Sequence, residues 1–175
     1  MEETPVHTAI LFLRTFHPVD GEAMEALESL CIEGEVAKGR DLQSIGHTCR
    51  TIYINVKGLL RIYYLKNGTD ITESFEIAPS VVARVESLFS GRASRKGIQA
   101  VEPTTFVGIS APPLYALFDK HPSLERLFRK VFENGYVKTV NRLESIQFHT
   151  AEERYRQLME EQPDILQRAP LKHVA

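Results

Sequence analysis

The stretch from Pro122 to Phe148 constrains the fold more than any other part of the sequence. His121, Pro122 and Ser123 form a helix start, because proline suits the first helical turn and a serine hydroxyl can cap free backbone N–H groups. Apolar residues then recur at intervals of three and four, the spacing of an amphipathic helix: Leu124, Leu127, Phe128, Val131, Phe132, Tyr136, Val137, Val140, Leu143 and Ile146. The pattern therefore predicts one long helix over residues 122–148.

The apolar stripe of this helix is too wide to cover a single core. Its early members, such as Leu124 and Phe128, share one direction, whereas four later side chains turn toward another: Phe132, Tyr136, Val140 and Leu143. A helix with two apolar faces needs two surfaces to bury them. We expect these four residues to form a homodimer interface. The alternative is that both faces pack inside one domain.

Residues 31–110 have the pattern of a small β-structure. Five runs rich in β-branched and aromatic residues predict strands: residues 51–56, 59–65, 70–77, 98–101 and 104–110. Asn67-Gly68 predicts a tight hairpin turn. We expect about eight short strands in a barrel or sandwich, with a brief helix at residues 85–90. Two helices come first, one at residues 6–16 and one capped by Asp20.

The length and composition of the chain limit which class of protein it can belong to. The 175 residues suffice for one domain plus a fragment or two small domains, and 43% of them are hydrophobic. The formal net charge of −2 provides no overall basic surface of the kind that many nucleic-acid-binding proteins carry. The sequence has no membrane-spanning apolar run, no export-signal pattern, and too few cysteines for a disulfide scaffold. We expect a cytoplasmic protein without a membrane partner.

Patterns of catalytic or metal-binding residues are missing from the sequence. None of the six histidines falls on a predicted strand, so a roll could not direct several of them at one metal ion: His7, His17, His47, His121, His149 and His173. No nucleophile motif or glycine-rich phosphate loop occurs. Cys31 and Cys49 are expected to be small buried side chains. We therefore expect neither an enzyme nor a metal or other cofactor.

A separate helical segment follows the long helix. Thr150 and Glu153 have the spacing of a capping box, which predicts a new helix. Pro163 ends that helix, and Pro170 begins another one close to Ala175. Since a chain does not usually stop within a first helical turn, we expect a further segment after residue 175.

The order of these elements resembles the Crp/Fnr family of transcription regulators, and three phrases resemble a subgroup common in Bacteroidetes: residues 56–61, 151–155 and 168–175. The resemblance implies an α+β fold with a double-stranded β-helix, jelly-roll-like, of the cyclic-nucleotide-binding type over residues 1–121. It further implies a long dimerisation helix over residues 122–148. Residues 149–175 would begin a winged helix-turn-helix domain whose recognition helix lies outside this sequence, so no DNA-contacting residue is assigned.

In that family a cassette between the sixth and seventh strands binds a cyclic nucleotide. It begins with Gly-Glu, whose carboxylate accepts from a ribose hydroxyl, and ends with an arginine followed by serine or threonine, which hold the phosphate. Here the matching start is Ala83-Arg84 and the matching end is Ala93-Ser94-Arg95-Lys96. Arg84 replaces an acceptor with a donor of opposite charge. Arg95 sits one residue late, which reverses the direction of a side chain on extended backbone.

The cassette still offers candidates for a ligand site. Ser94, Arg95 and Arg92 could form an anion pocket, and the resemblance places Thr139 where the long helix would contact a purine. The candidate ligand-binding residues are Arg84, Glu86, Ser87, Ser94, Arg95 and Thr139. We expect an unidentified small anionic ligand or none, and not cyclic AMP. The alternative for the basic residues is an ordinary solvated turn.

Two functions remain open. One is a homodimeric, DNA-binding transcription regulator whose β-roll senses an unidentified ligand or none. The other is a stand-alone β-roll module for sensing or protein interaction that does not bind DNA. A helix-turn-helix after residue 175 would favour the first.

Overall fold

Eight short strands form two antiparallel sheets in residues 4–174, the part of the chain that the computed structural model describes. The strands are β1 (Cys31–Val36), β2 (Asp41–Gln43), β3 (Thr51–Lys57), β4 (Leu59–Lys66), β5 (Thr69–Ile77), β6 (Ser80–Val82), β7 (Lys96–Ala100) and β8 (Thr104–Ser110). Sheet 1 has the order β1-β8-β3-β6 and sheet 2 the order β2-β7-β4-β5. The first strand thus pairs with the eighth, the second with the seventh, the third with the sixth and the fourth with the fifth. This nested pairing is that of a double-stranded β-helix, and it confirms the predicted fold class.

Eight helices of the described chain surround or follow the roll. They are α1 (Pro5–Arg14), α2 (Gly21–Glu28), α3 (Val85–Ser90), α4 (Ala111–Phe118), α5 (Pro122–Phe148), α6 (Ala151–Glu161), α7 (Pro163–Arg168) and α8 (Leu171–Val174). The predicted caps are present: Asp20 accepts a 2.8 Å hydrogen bond from the Ala23 N–H, and Thr150 and Glu153 form a capping box. Within residues 4–174 no helix combines the length and the apolar character that a bilayer crossing requires.

The β4–β5 hairpin carries two irregularities that shape the roll. Asn67 and Gly68 both have positive φ, 54° and 79°, as the predicted two-residue turn requires. Further along, the register passes from Ile62 opposite Ser74 to Tyr63 opposite Thr72, so that Glu73 is the extra residue of a β-bulge. A bulge redirects the side chains around it, and this one places Glu73 beside α5.

The first half of α5 closes the core of the roll. Leu124, Leu127, Phe128 and Val131 are buried in one cluster with side chains of sheet 1 and of α1, α2 and α4. A second cluster fills the space between the two sheets: Val36, Leu60, Ile62, Val82, Ile98 and Ala100. Cys49 is buried as expected, whereas Cys31 is half-buried at the start of β1, and neither is in a disulfide.

The second half of α5 leaves its apolar side chains largely uncovered. Tyr136 is 71% exposed and Leu143 is 53% exposed, and Phe132 and Val140 are only partly buried. Phe132 packs edge-to-face against Phe89 of α3, at 5.1 Å between ring centroids. The described chain therefore buries the first apolar face of α5 and leaves most of the second to solvent.

The C-terminal helices return to the outer face of sheet 2. Ile165 and Ala169 are buried there against Leu59 of β4 and Val101, which follows β7. An ion pair fixes the same contact, because the guanidinium of Arg168 donates from Nε and Nη2 to the two carboxylate oxygens of Glu102, at 3.2 and 2.5 Å. Sheet 2 is thus covered by the roll core on one face and by α7 on the other.

Candidate functional site

The cassette (residues 83–96) joins β6 to β7 and contains the short helix α3. Arg84 is the N-terminal flanking residue of α3 and is only 8% exposed. Its Nη2 donates to Glu86 Oε2 at 3.0 Å. The other oxygen, Glu86 Oε1, accepts from Ser94 Oγ at 3.0 Å. The two ends of the cassette are therefore connected through the Glu86 carboxylate.

Three of the six candidate residues meet in this contact, and the other three do not. Ser87 is buried nearby, where its hydroxyl accepts from the Cys49 N–H at 2.9 Å and donates to the Arg92 carbonyl. That hydroxyl joins the cassette to the loop before β3. Arg95 is exposed next to the buried Ser94, in the bend just before β7. Thr139 is exposed on α5 and donates to the Gly135 carbonyl at 3.0 Å.

Two carboxylates of β5 extend the charged contacts from the cassette to the long helix. Glu73 Oε2 lies 2.6 Å from Lys96 Nζ, and Glu73 Oε1 lies 3.4 Å from Arg142 Nη1 of α5. Arg142 Nε also donates to the Glu73 backbone carbonyl at 2.9 Å. Glu76 lies near Lys138, one turn before Arg142, and near Arg84, since both cations act on its carboxyl group.

These groups form a series in which positive and negative side chains alternate. It runs Lys138, Glu76, Arg84, Glu86, Lys96, Glu73, Arg142, and both of its ends belong to α5. We call this set the charged series. Every cation of the cassette that points into the roll has a carboxylate of the same chain beside it. Two buried atoms of the series have no hydrogen-bond partner among residues 4–174: Arg84 Nε, and Glu73 Oε2, whose close contact with Lys96 Nζ is an ion pair without hydrogen-bond geometry.

Two carboxyl groups of the series, the exposed Glu86 and the half-buried Glu76, have pKa values that are shifted in opposite directions. Burial acts to raise the pKa of Glu86, but the charge of Arg84 and the Ser94 hydroxyl outweigh it and hold that pKa below its usual value. For Glu76, burial dominates and raises the pKa, although Lys138, Ser74 and Arg84 act against it. Glu86 is thus a stabilised anion, whereas the surroundings of Glu76 disfavour its charged form.

Sequence reasoning missed five members of the charged series as site residues: Glu73, Glu76, Lys96, Lys138 and Arg142. A partial signal was present. Two glutamates interrupt an otherwise apolar and β-branched strand, and Lys138 and Arg142 are spaced four apart, so they share one face of a helix. The bulge that aims Glu73 at α5 has no such signal.

A second polar cluster lies on the outer face of sheet 2, and its polar groups already form hydrogen bonds with one another. Arg61 is buried, makes two 2.6 Å hydrogen bonds to the Asp70 carboxylate, and also binds Gln99. A shallow depression beside it is lined by Asp41 and Tyr63, whose carboxylate and hydroxyl bond each other at 2.7 Å. Because these groups are paired with each other, the cluster offers few free donors or acceptors to a ligand.

No metal site is evident in the described part of the chain. Residues 4–174 contain no group of three or more His, Cys, Asp or Glu side chains close enough to hold an ion. The chemistry that the charged series offers is therefore recognition of charge by hydrogen-bonding side chains.

Replacing Glu76 by glutamine tests the cost of this buried charge. The folded-state pKa of Glu76 is raised above its ordinary value of 4.5, so the natural protein loses stability relative to Glu76→Gln as the pH rises through the folded pKa. We expect the stability difference, measured by urea unfolding between pH 4.5 and 7, to favour the variant increasingly with pH.

Glu133→Gln is the matched control for that experiment. Hydrogen bonds from Lys130 and Arg129 lower the pKa of the exposed Glu133 carboxyl, so any stabilising contribution is lost only as the pH falls below its ordinary value of 4.5. Between pH 4.5 and 7 the stability difference between the natural protein and Glu133→Gln should therefore stay nearly constant. The same trend in both variants would contradict the assignment of Glu76 as a destabilised buried carboxylate.

Comparisons with known proteins bear on the fold. No protein-family model matches the chain, and no curated protein matches it in sequence. Solved structures do match. A cyclic nucleotide-binding domain from Methylobacillus flagellatus is 16% identical with a TM-score of 0.71, over 81% of this chain and 82% of that one. A protein predicted to be a transcriptional regulator of the Crp/Fnr family, from Eubacterium rectale, is 16% identical with a TM-score of 0.69, over 87% of this chain and 74% of that one.

The likeness in fold extends to a third solved structure. The catabolite activator protein of Thermus thermophilus is 17% identical with a TM-score of 0.61, over 91% of this chain and 72% of that one. At these identities the comparisons establish the fold. The chain has the α+β fold of a cyclic-nucleotide-binding domain, followed by a long helix.

Proposed function

We propose that this chain is the sensory and dimerising part of a cytoplasmic transcription regulator of the Crp/Fnr type, whose roll does not respond to cyclic AMP. The observation that carries the proposal is the uncovered apolar face of α5, directly after a roll of the cyclic-nucleotide-binding type. The fold neighbours from Thermus thermophilus and Eubacterium rectale support it. The assignment to a Bacteroidetes-type subgroup rests on the sequence phrases alone.

The geometry of α5 favours a second copy of the chain as its partner. Tyr136 and Leu143 are exposed on the same side of the helix as the partly buried Phe132 and Val140. A β-carbon added at Gly135 would meet no atom within 4 Å, so another backbone has room to approach there. Each large apolar side chain that becomes buried contributes about 1.5–3 kcal/mol, which makes this stripe the strongest association surface of the helix.

Leu143→Arg tests the dimer. Placing a charge in the apolar stripe should prevent association, and light scattering at micromolar concentration should show the mass of one chain instead of two. Asn141→Arg adds the same side chain at an exposed position outside the stripe and should leave the dimer intact. A natural protein that is monomeric, or a Leu143→Arg variant that stays dimeric, would count against this interface.

The charged series is the reason for excluding cyclic AMP. A ribose hydroxyl entering the start of the cassette would meet Arg84, which is a donor and is already bound to Glu86. At the other end, Ser94 replaces the arginine that would hold the phosphate, and the neighbouring Arg95 is exposed. Each missing polar contact costs about 1–3 kcal/mol. Together they weaken binding by roughly two to four orders of magnitude.

Isothermal titration with cyclic AMP tests this exclusion. We expect no binding with a dissociation constant below about 10 μM, while a protein known to bind cyclic AMP, titrated in the same buffer, should give a normal isotherm. Tight binding by this chain would show that Arg95 turns inward and takes over the phosphate.

The charge of the helices after residue 148 bears on whether this chain binds DNA. The described helices after residue 148 carry slightly more acidic than basic side chains, and Arg168 is paired with Glu102. These observations favour the alternative of a stand-alone sensing or interaction module.

A selection from random DNA with the full-length natural protein separates the two functions. A homodimeric regulator should enrich a two-fold symmetric sequence with half-sites about one helical turn apart, and binding should weaken steeply with salt. Enrichment of no symmetric sequence would favour the interaction module.

A further inference from the structure

Glu73 connects three elements that are far apart in the sequence. It is the extra residue of the β5 bulge, and its side chain is only 17% exposed. One carboxylate oxygen lies 2.6 Å from Lys96 at the start of β7, and the other lies 3.4 Å from Arg142 of α5. The Glu73 carbonyl also accepts from Arg142 Nε at 2.9 Å. Glu73 is therefore bound to the long helix through both its side chain and its backbone.

These contacts lie where α5 is otherwise weakly held. The buried anchors of the helix end at Val131, and its later apolar side chains are mostly exposed. Arg142 provides polar contacts from the second half of α5 to sheet 2 through Glu73, and the exposed Lys138 acts on the Glu76 carboxyl group through its charge alone. The position of this half-helix on the roll thus depends heavily on two carboxylates.

A carboxylate can substitute for an anionic ligand in such a place. It presents two oxygens that share one negative charge, and it binds ammonium and guanidinium groups with short, charge-assisted hydrogen bonds, as a phosphate oxygen pair does. Lys96 and Arg142 are the kinds of side chain that would hold a bound anion, and Glu73 already occupies both. An anion that needed these two cations would have to displace Glu73.

We propose that Glu73, Lys96 and Arg142 form a latch in which Glu73 acts as a built-in anion and holds the second half of α5 on the roll without a ligand. The inference rests on the proposed function in that α5 is the output element of a sensor. It specifies the regulation: the helix orientation that a ligand would impose is set by the chain itself.

Hydrogen–deuterium exchange of the Glu73→Gln variant tests the latch. Glutamine keeps the size of the side chain but removes the charge that binds both cations. We expect backbone amides of residues 138–148 to exchange about fivefold or more faster than in the natural protein, with the roll strands unchanged. Arg142→Gln breaks the same contact from the helix side and should give the same pattern if Glu73→Gln folds poorly.

Glu133→Gln again serves as the matched control. Glu133 lies on the same helix and pairs with Arg129 and Lys130, but it contacts no other element. Its replacement should leave exchange at residues 138–148 unchanged. Equal exchange in the natural protein, Glu73→Gln and Arg142→Gln would overturn the latch.

Inorganic phosphate tests the role of Glu73 as a built-in anion. In Glu73→Gln, millimolar phosphate should slow exchange at residues 138–148 back toward the natural level, while the natural protein should not change. Faster exchange that phosphate does not reverse would overturn this half of the proposal.

The result of the exchange experiment can be distinguished from the results that test the proposed function. Exchange is compared at a concentration where all variants have the same oligomeric state, and it does not depend on DNA. A monomeric protein that selects no DNA, yet shows fast exchange in Glu73→Gln, would keep the latch and refute the regulator.

Discussion

The burial of the first half of α5 against sheet 1 determines the position of everything that follows. Leu124, Leu127 and Phe128 are completely or almost completely excluded from solvent in the main core. Once these turns are fixed, helical periodicity decides which later side chains face the roll and which face outward. Lys138 and Arg142 fall on the roll side, and Tyr136 and Leu143 fall on the other. One packing interaction therefore sets both the charged contacts of the sensor and the exposed stripe.

Local features of the fold could be predicted from the sequence, because they depend on neighbours in the chain. The limits of α5, the turn at Asn67-Gly68 and the capping box at Thr150 all follow from residues within one or two turns of each other. The nested strand pairing does not follow from spacing. It joins residues as distant as Cys31 and Ile109, and only the resemblance to a known family anticipated it.

The candidate site was predictable only in part, because several of its contacts join residues that are distant in the sequence. Arg95 is exposed but lies in a bend just before β7, so the alternation of side chains along a strand does not fix its direction. Ser87 shows the limit: its hydroxyl is held by the Cys49 N–H and the Arg92 carbonyl, and nothing near Ser87 in the sequence indicates that Cys49 packs there. The pairing of Glu73 with Arg142 spans most of the roll and depends on a bulge, so it could be found only in three dimensions.

The attachment of the C-terminal helices to sheet 2 has a consequence for the behaviour of the molecule over time. The contact is small: Ile165 and Ala169 are its buried apolar residues, and the ion pair of Arg168 with Glu102 is partly open to water. A contact of this size opens far more often than the whole domain unfolds. Each opening exposes Leu59 and Val101, which are otherwise buried, and frees the backbone around Pro163 and Ile165. This region is therefore a place where local opening would give a protease access to backbone that the folded chain protects.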